Sequence, residues 1–137
     1  MENFKHKLWV SFFLVMSGSQ IILSSCDEKL DHVDAVGQII KEDFCSFNGK
    51  KAYVVDLDMT TTIAPKEIDI NLTSDTIGGV RYNNLIRVIA NFEAPDSLLY
   101  KYQLRCNLKP VSEKCPDSRF KIESFESIGE FGFSKVK

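Results

Sequence analysis

The chain has 137 residues, with 17 Lys and Arg against 19 Asp and Glu, a formal net charge of −2 and two histidines. A length of this order supports one small domain with a single modest core and leaves no room for a second. The slightly acidic balance, with lysines interleaved among acids and no dense basic run, argues against a nucleic-acid binder.

Residues 1–25 carry the three zones of a secretory signal: Lys5, His6 and Lys7 near the start, an apolar run from Leu8 to Met16, and small or apolar residues up to Ser25. The apolar run is broken by Ser17, Gly18, Ser19 and Gln20, too soon for a membrane-spanning helix of about 20 residues. Leu23, Ser24, Ser25 and Cys26 then resemble a bacterial lipobox. The resemblance implies cleavage after Ser25, diacylation of the Cys26 sulfur and acylation of its new amine. It also implies a lipid-anchored protein of the bacterial cell envelope, at the outer membrane, on its periplasmic or surface face. Cleavage there removes Lys5, Lys7 and Glu2 and leaves 112 residues with 15 basic against 18 acidic side chains.

Residues 26–34 are polar and charged, as a lipidated tether requires. Residues 35–137 read as the folded domain, with alternation and turn signals in place of helical periodicity. A first strand is expected over Val33 to Lys41, with Gly37 marking a bend or bulge. Asn48 and Gly49 predict a hairpin turn. A second strand follows from Lys51, with Tyr53, Val55 and Leu57 on one face, and pairs with the first.

Residues 59–67 form a loop, and Ile68 to Leu72 is a short strand or an extended crossing. Residues 73–84 read as a turn-rich connection. The stretch 85–93 is apolar on both faces, which predicts a central strand. Two further strands are expected over 98–106 and 119–125, separated by a loop at 107–118, with Ile128 and Phe131 tucking the tail onto the domain. Five principal strands in about 105 residues suit an all-β fold, a small five-stranded Greek-key barrel of the OB type, or failing that a small sandwich.

Three cysteines follow Cys26. In an exported protein Cys45, Cys106 and Cys115 read as disulfide material with one left over. Three pairings are open; Cys45 with Cys115 is preferred because first and last barrel strands commonly lie close together, Cys106 is the runner-up partner for Cys45, and a Cys106 to Cys115 loop is the third. There is no CxxC, and His32 is the only histidine beyond the signal, so neither a structural metal nor a cofactor is expected.

Val54 to Thr60 resembles the Asp-x-Asp-x-Thr strand end of haloacid-dehalogenase-type phosphotransferases. That chemistry needs a parallel sheet with crossover helices, a lysine and further carboxylates for magnesium, which 112 residues without long helices do not supply. Asp56 and Asp58 are therefore read as exposed positions of a half-buried strand. Cys45 lacks a nearby base to make it a nucleophile, and no Ser/His/Asp set can be built on His32. No catalytic residue is assigned, and an enzyme is not expected.

The order of features, a lipobox, an acidic tether, then "NGKKAYVVDL", "NLIRVIANFE", a cysteine and "FKIESFESI", resembles the small OB-fold lipoproteins of Bacteroidota. Within these it is similar in size and plan to the potempins, inhibitors of secreted proteases, several of them metalloproteases. The resemblance implies a lipid-anchored inhibitor, monomeric when free, that occludes a protease cleft with barrel loops.

The loop candidates are Thr60, Thr61, Thr62, Ile63, Ala64 and Pro65, whose β-branched residues and proline favour extended backbone, then Ser46, Phe47 and Asn48 within 45–51, and the stretch 109–116. Tissue inhibitors of metalloproteinases, also OB folds, chelate zinc through the free amine of an N-terminal cysteine. An acylated Cys26 has no such amine. The alternative function is a non-catalytic binding or structural lipoprotein of the envelope.

Overall fold

The computed structural model describes residues 29–137, so the signal segment and Cys26 lie outside the described residues. The described chain is all-β, one sheet of six strands: β1 (Val33–Phe47), β2 (Lys50–Leu57), β3 (Thr73–Ile77), β4 (Val80–Ile89), β5 (Tyr102–Val111) and β6 (Ser124–Lys135), with a single 3-10 turn at Asp96–Leu98. The sheet order is β2-β1-β5-β6-β4-β3, and β2 also pairs with β4. Every pairing is antiparallel except β4 with β6. The five strands β1, β2, β4, β6 and β5 thus each have a partner on both sides, and β3 hangs from β4 alone.

β1 starts two residues before the expected domain boundary and runs well past Lys41. Val33, Ala35 and Ile39 point into the main core. At Gly37 an added Cβ would stand 2.6 Å from the Asp56 carbonyl oxygen and 2.8 Å from Val55 Cγ1, so this glycine is the close approach of two strands and not itself the bulge. The register shift comes next, between Ile39 and Lys41. Ile40 faces the other way by alternation and packs with Val54 and Leu85, and the shift keeps Lys41 and Asp43, opposite Val54 and Ala52, on that same face. The hairpin turn falls at Asn48 and Gly49, both with positive φ, as the type I′ preference requires.

β2 and β4 are buried on both faces. Tyr53, Val55, Ile86 and Val88 line the main core. Their opposite face, with Val54, Leu85, Ala52 and Ile89, would meet water if nothing covered it. It is covered by residues 112–123, the irregular connection between β5 and β6, whose Phe120 and Ile122 complete one apolar cluster and whose Cys115 joins another with Phe47 and Ile89. We call this connection the strap.

Several expectations need correction. The stretch 73–84 is not a loop: it contains β3, a two-residue turn with Gly78 and Gly79 both at positive φ, and the start of β4. Glycines and polar residues that read as breaks are hairpin chemistry. β5 extends to Val111, so Pro110 lies within a strand. This is tolerated because β1 begins at Val33, opposite Leu108, leaving Pro110 partnered by β6 alone. Residues 119–123 are not a strand. Phe120 and Ile122 alternate as strand residues do, but they serve as plugs, and Ile128 and Phe131 belong to β6. Ile68, Ile70 and Leu72 form the extended crossing and pack against the core without joining the sheet.

The strap is pinned by a buried charge. Arg87 is 2% exposed and Asp43 6%. Arg87 Nε donates to Asp43 Oδ2 at 2.7 Å, Nη2 to the Phe120 carbonyl at 2.7 Å, and Nη1 to the Ile122 carbonyl and Ser124 Oγ at 3.2 and 3.0 Å. Ser118 Oγ lies 2.8 Å from both Asp43 oxygens and accepts from the Phe120 N–H at 3.1 Å. Replacing Arg87 alone leaves a buried carboxylate and orphaned strap carbonyls, so Arg87→Met is expected to cost about 3–5 kcal/mol. The double replacement Arg87→Met with Asp43→Leu should recover part of that loss, because no charge is then left unpaired. Urea unfolding of the four chains in a double-mutant cycle checks this; independent, additive losses would contradict it.

Candidate functional site

The Cys45–Cys115 bridge joins the end of β1 to the strap, with Cα atoms 5.8 Å apart and 70 residues between them. Among the described residues Cys106 is the free cysteine. It faces the core opposite Phe131, and burial pushes its thiol up to about 12, which makes it inert packing material.

Around Cys45 the pairing of β1 and β2 slips: Asp43 opposes Ala52 and the next pair is Phe47 with Lys50. Phe44, Cys45 and Ser46 bulge out against Lys51 alone. Asp43 just before the bulge is turned inward by Arg87, and Phe47 just after it is buried. Phe44 between them is left 87% exposed. Its carbonyl oxygen lies 3.7 Å from Cys115 Sγ, so the residue sits directly against the bridge. Lys41 and Arg119 stand 5.7 and 4.6 Å from the ring of Phe120 nearby. The result is a large aromatic held outward on a base fixed by a disulfide, a buried ion pair and a hairpin.

Two hollows flank this region. One of about 540 Å³ lies along the strap, lined by Arg87, Val111, Lys114, Phe120 and Ile122 among others. The other, about 350 Å³, is floored by Phe47, Ile89 and Val111 and rimmed by Lys50, Glu113 and Glu126, with Lys50 and Glu126 paired. Neither lining contains a histidine. Among the described residues no three His, Cys, Asp or Glu side chains converge to hold a metal.

The second candidate loop, after β2, is built differently. Asp58 accepts from the Thr60 N–H and hydroxyl at 3.0 and 2.6 Å, and its carbonyl accepts from the Thr62 N–H at 2.9 Å. Thr62 Oγ1 both accepts from Val36 N–H and donates to its carbonyl, each at 3.1 Å. Ile63 and Asp34 exchange backbone hydrogen bonds at 2.8 and 2.9 Å. The loop is therefore folded back onto the start of β1, and Ile63 has already spent both backbone groups there. Thr60, Thr61, Ile63 and Ala64 are exposed, while Thr62 and Pro65 are half-buried.

The sequence candidates thus fall at the two ends of β1: Thr60 to Pro65 where it starts, Ser46, Phe47 and Asn48 where it finishes. Of these, Phe47 is buried beneath the strap; only the backbone of Ser46 is described, and Asn48 is exposed at the turn. Phe44 was not singled out by its sequence. The only hint is an aromatic in "EDFCSF" beside a cysteine, which reads equally well as core. Arg87 was also missed, although a lone arginine inside "LIRVIA" already requires a buried partner.

Asp56 and Asp58 have structural work. Asp56 accepts from the Asn84 N–H at 3.1 Å and is half-buried. Desolvation holds its carboxyl above the usual value, whereas the Thr60 hydroxyl and N–H hold Asp58 below it. No protein-family model, curated protein or solved structure matches the chain.

Three outcomes follow. An NMR pH titration should give Asp58 a midpoint below, and Asp56 one above, the ordinary aspartate value of about 3.9. Stability from Asp58 is present above its unfolded value and lost as pH falls through the lowered one. Stability from Asp56 has the opposite sense, present at low pH and lost as pH rises through its raised value. Replacing both Cys45 and Cys115 with serine should lower stability by about 4 kcal/mol on the chain-entropy account of a 70-residue loop, read from urea midpoints. In the native protein at pH 8, Cys106 should resist iodoacetamide and become labelled only on unfolding, as peptide mapping would report.

Proposed function

We propose that the protein is a lipid-anchored lipoprotein of the bacterial envelope, tethered through acylated Cys26, in which a small OB-like barrel inhibits a secreted protease by occluding its cleft. The OB reading draws support from the pairing circuit. Its order, β1-β2-β4-β6-β5 and back to β1, has one parallel contact, β4 with β6. A path across the strands leaves β1 at Val33, passes Leu108 and Ser127, then Glu126, Ile89 and Ala52, and returns to β1 at Asp43. A stagger that large is what a barrel of few strands needs to close around filled side chains. An OB barrel that binds oligonucleotides or sugars uses the face of its second and third strands. Here the corresponding outer face of β2 and β4 lies beneath the strap, which favours a protein partner met at the loops.

The observation that carries the inhibitory reading is Phe44, 87% exposed on a disulfide-locked bulge. An exposed aromatic on a rigid base can fill a partner's pocket at small entropic cost. The bulge is preferred over Thr60 to Pro65 because that loop's backbone is already bonded to β1. With the Cys26 amine acylated, blockade of a catalytic zinc would have to come from a loop backbone carbonyl or a side chain. A metalloprotease is the favoured target through the family resemblance alone. An envelope protein that binds a partner without inhibiting it would use the same bulge.

The test titrates the purified chain against metallo-, serine and cysteine proteases. Stoichiometric inhibition is expected for at least one, and Phe44→Ala should weaken it by roughly 30-fold or more, the loss of a central aromatic anchor worth about 2 kcal/mol. Inhibition of none at micromolar concentration would sink the reading. Inhibition unaffected by Phe44→Ala would move the contact elsewhere.

A further inference from the structure

Large apolar side chains exposed among the described residues are Leu30, Phe44, Met59, Ile63, Val80, Tyr100 and Phe131. Three of them lie where β1 begins, and a fourth, Val80, is on the hairpin that overhangs the same end. Leu30 is three residues before Val33. Met59 follows Asp58, whose N–H donates to the Val36 carbonyl, and Ile63 is bonded to Asp34. Val80 tips the β3–β4 hairpin: Leu85 opposes Asp56, so the residues of β4 before Leu85 overhang β2 in the direction of the 58–65 loop. Lys29, Lys66 and Arg81 lie beside these residues in sequence and enter none of the ion pairs among the described residues. Two acids of this end are already engaged, Asp31 with Lys109 and Asp34 with Arg105.

The chain preceding Leu30 says what faces this end. Cys26 is four residues upstream, a reach of roughly 14 Å at full extension. On the lipid-anchored reading above, on which this inference rests, the acyl chains at Cys26 hold Leu30 within that distance of the bilayer and the start of β1, three residues on, within roughly 24 Å. We infer that this end of the domain docks on the lipid surface, with Met59, Ile63, Leu30 and Val80 entering the interfacial region and the three cations meeting lipid phosphates. Three acyl chains already anchor the protein stably, so a second membrane contact serves to orient the domain and not to hold it. The 58–65 loop, stiffened by Asp58 and stitched to Val36 and Asp34, holds Ile63 in place for that contact and leaves the Phe44 end of β1 turned away from the membrane.

Trp9 is the only tryptophan and leaves with residues 1–25, so Ile63→Trp and Phe44→Trp each give the processed chain a single probe. The full-length gene is expressed, and the processed protein is purified from membranes and checked by mass for acylation. It is then placed in phosphatidylethanolamine–phosphatidylglycerol vesicles with and without bromolipid. In the acylated protein the Ile63→Trp emission should move to shorter wavelength and be strongly quenched by bromolipid, while that of Phe44→Trp should do neither. If the protein is acylated and both probes stay equally exposed, docking is overturned and anchoring stands. A chain carrying no acyl group overturns the anchored reading and the docking inference together. A shift of the Ile63→Trp emission that needs no lipid and grows with protein concentration would assign the surface to a second copy of the chain and overturn the lipid assignment.

Discussion

The fold's outer layer depends on Arg87. A guanidinium this deep is tolerable only when its donors are used, because burying a charge without partners costs far more than a domain of this size can spare. Asp43 of β1 takes one donor. Ser124 of β6 takes another, and two are left for the carbonyls of Phe120 and Ile122. No pair of strands satisfies the group by itself; it is complete only when the strap has arrived. The same carbonyls would otherwise be orphaned, since residues 119–122 belong to no strand. Arg87 thus couples closure of β4 against β6 with closure of the strap over β2. A buried ion pair of this kind is weak evidence for added stability but a strong constraint on which arrangement forms.

That constraint explains why β2 and β4 can be apolar on both faces in a small domain with few strands. One face fills the core, and the other is covered by a segment that has almost no regular structure of its own. The disulfide acts on the same segment from its other side, fixing Cys115 against the β1 bulge while Ser118 and Phe120 are fixed against Asp43 and Leu85. With Asp43 drawn in by Arg87 and Phe47 drawn in by the apolar cluster over Ile89, the slipped register leaves Phe44 with nowhere to pack. Its exposure is a consequence of what holds its neighbours.

Much of this was legible in the sequence. The alternation of Tyr53, Val55 and Leu57, the Asn48–Gly49 turn and the two-faced strand around Ile86 follow from local rules that the tertiary structure respects; the preferred pairing of Cys45 with Cys115 also forms, but it joins β1 to the strap, since β1 pairs with β2 and β5 and not with the last strand. The errors came where a local signal had a non-local cause. Pro110 reads as a loop residue, yet it sits in β5 because β1 has already ended beside it. Phe120 and Ile122 read as a strand, yet Arg87, more than thirty residues away in sequence, supplies the partners that a neighbouring strand would have given. Gly78 and Gly79 read as a turn and are one, but the residues around them read as connection and are instead β3 and the start of β4. Phe44 could not be read at all, because whether an aromatic beside a cysteine lies inside or outside depends on a register slip that no spacing announces.

The two ends of β1 are thereby given different characters by one strand. At Val33, where on the proposed reading the chain has just left its tether, the 58–65 loop folds back to bond with Asp34 and Val36. At Phe44 the strand bulges against a disulfide. A protein that must be held at a surface while meeting a second protein needs these features separated, so that the anchor does not cover the contact. β1 is the longest strand among the described residues, and it spans both. Any stiffness in it, from the close approach at Gly37 to the clamp at Asp43, also fixes the direction in which Phe44 points relative to the tether. On the proposed reading, the strand is the rod that sets the contact at a defined distance and angle from the membrane, and the strap is what keeps the rod's far end from fraying.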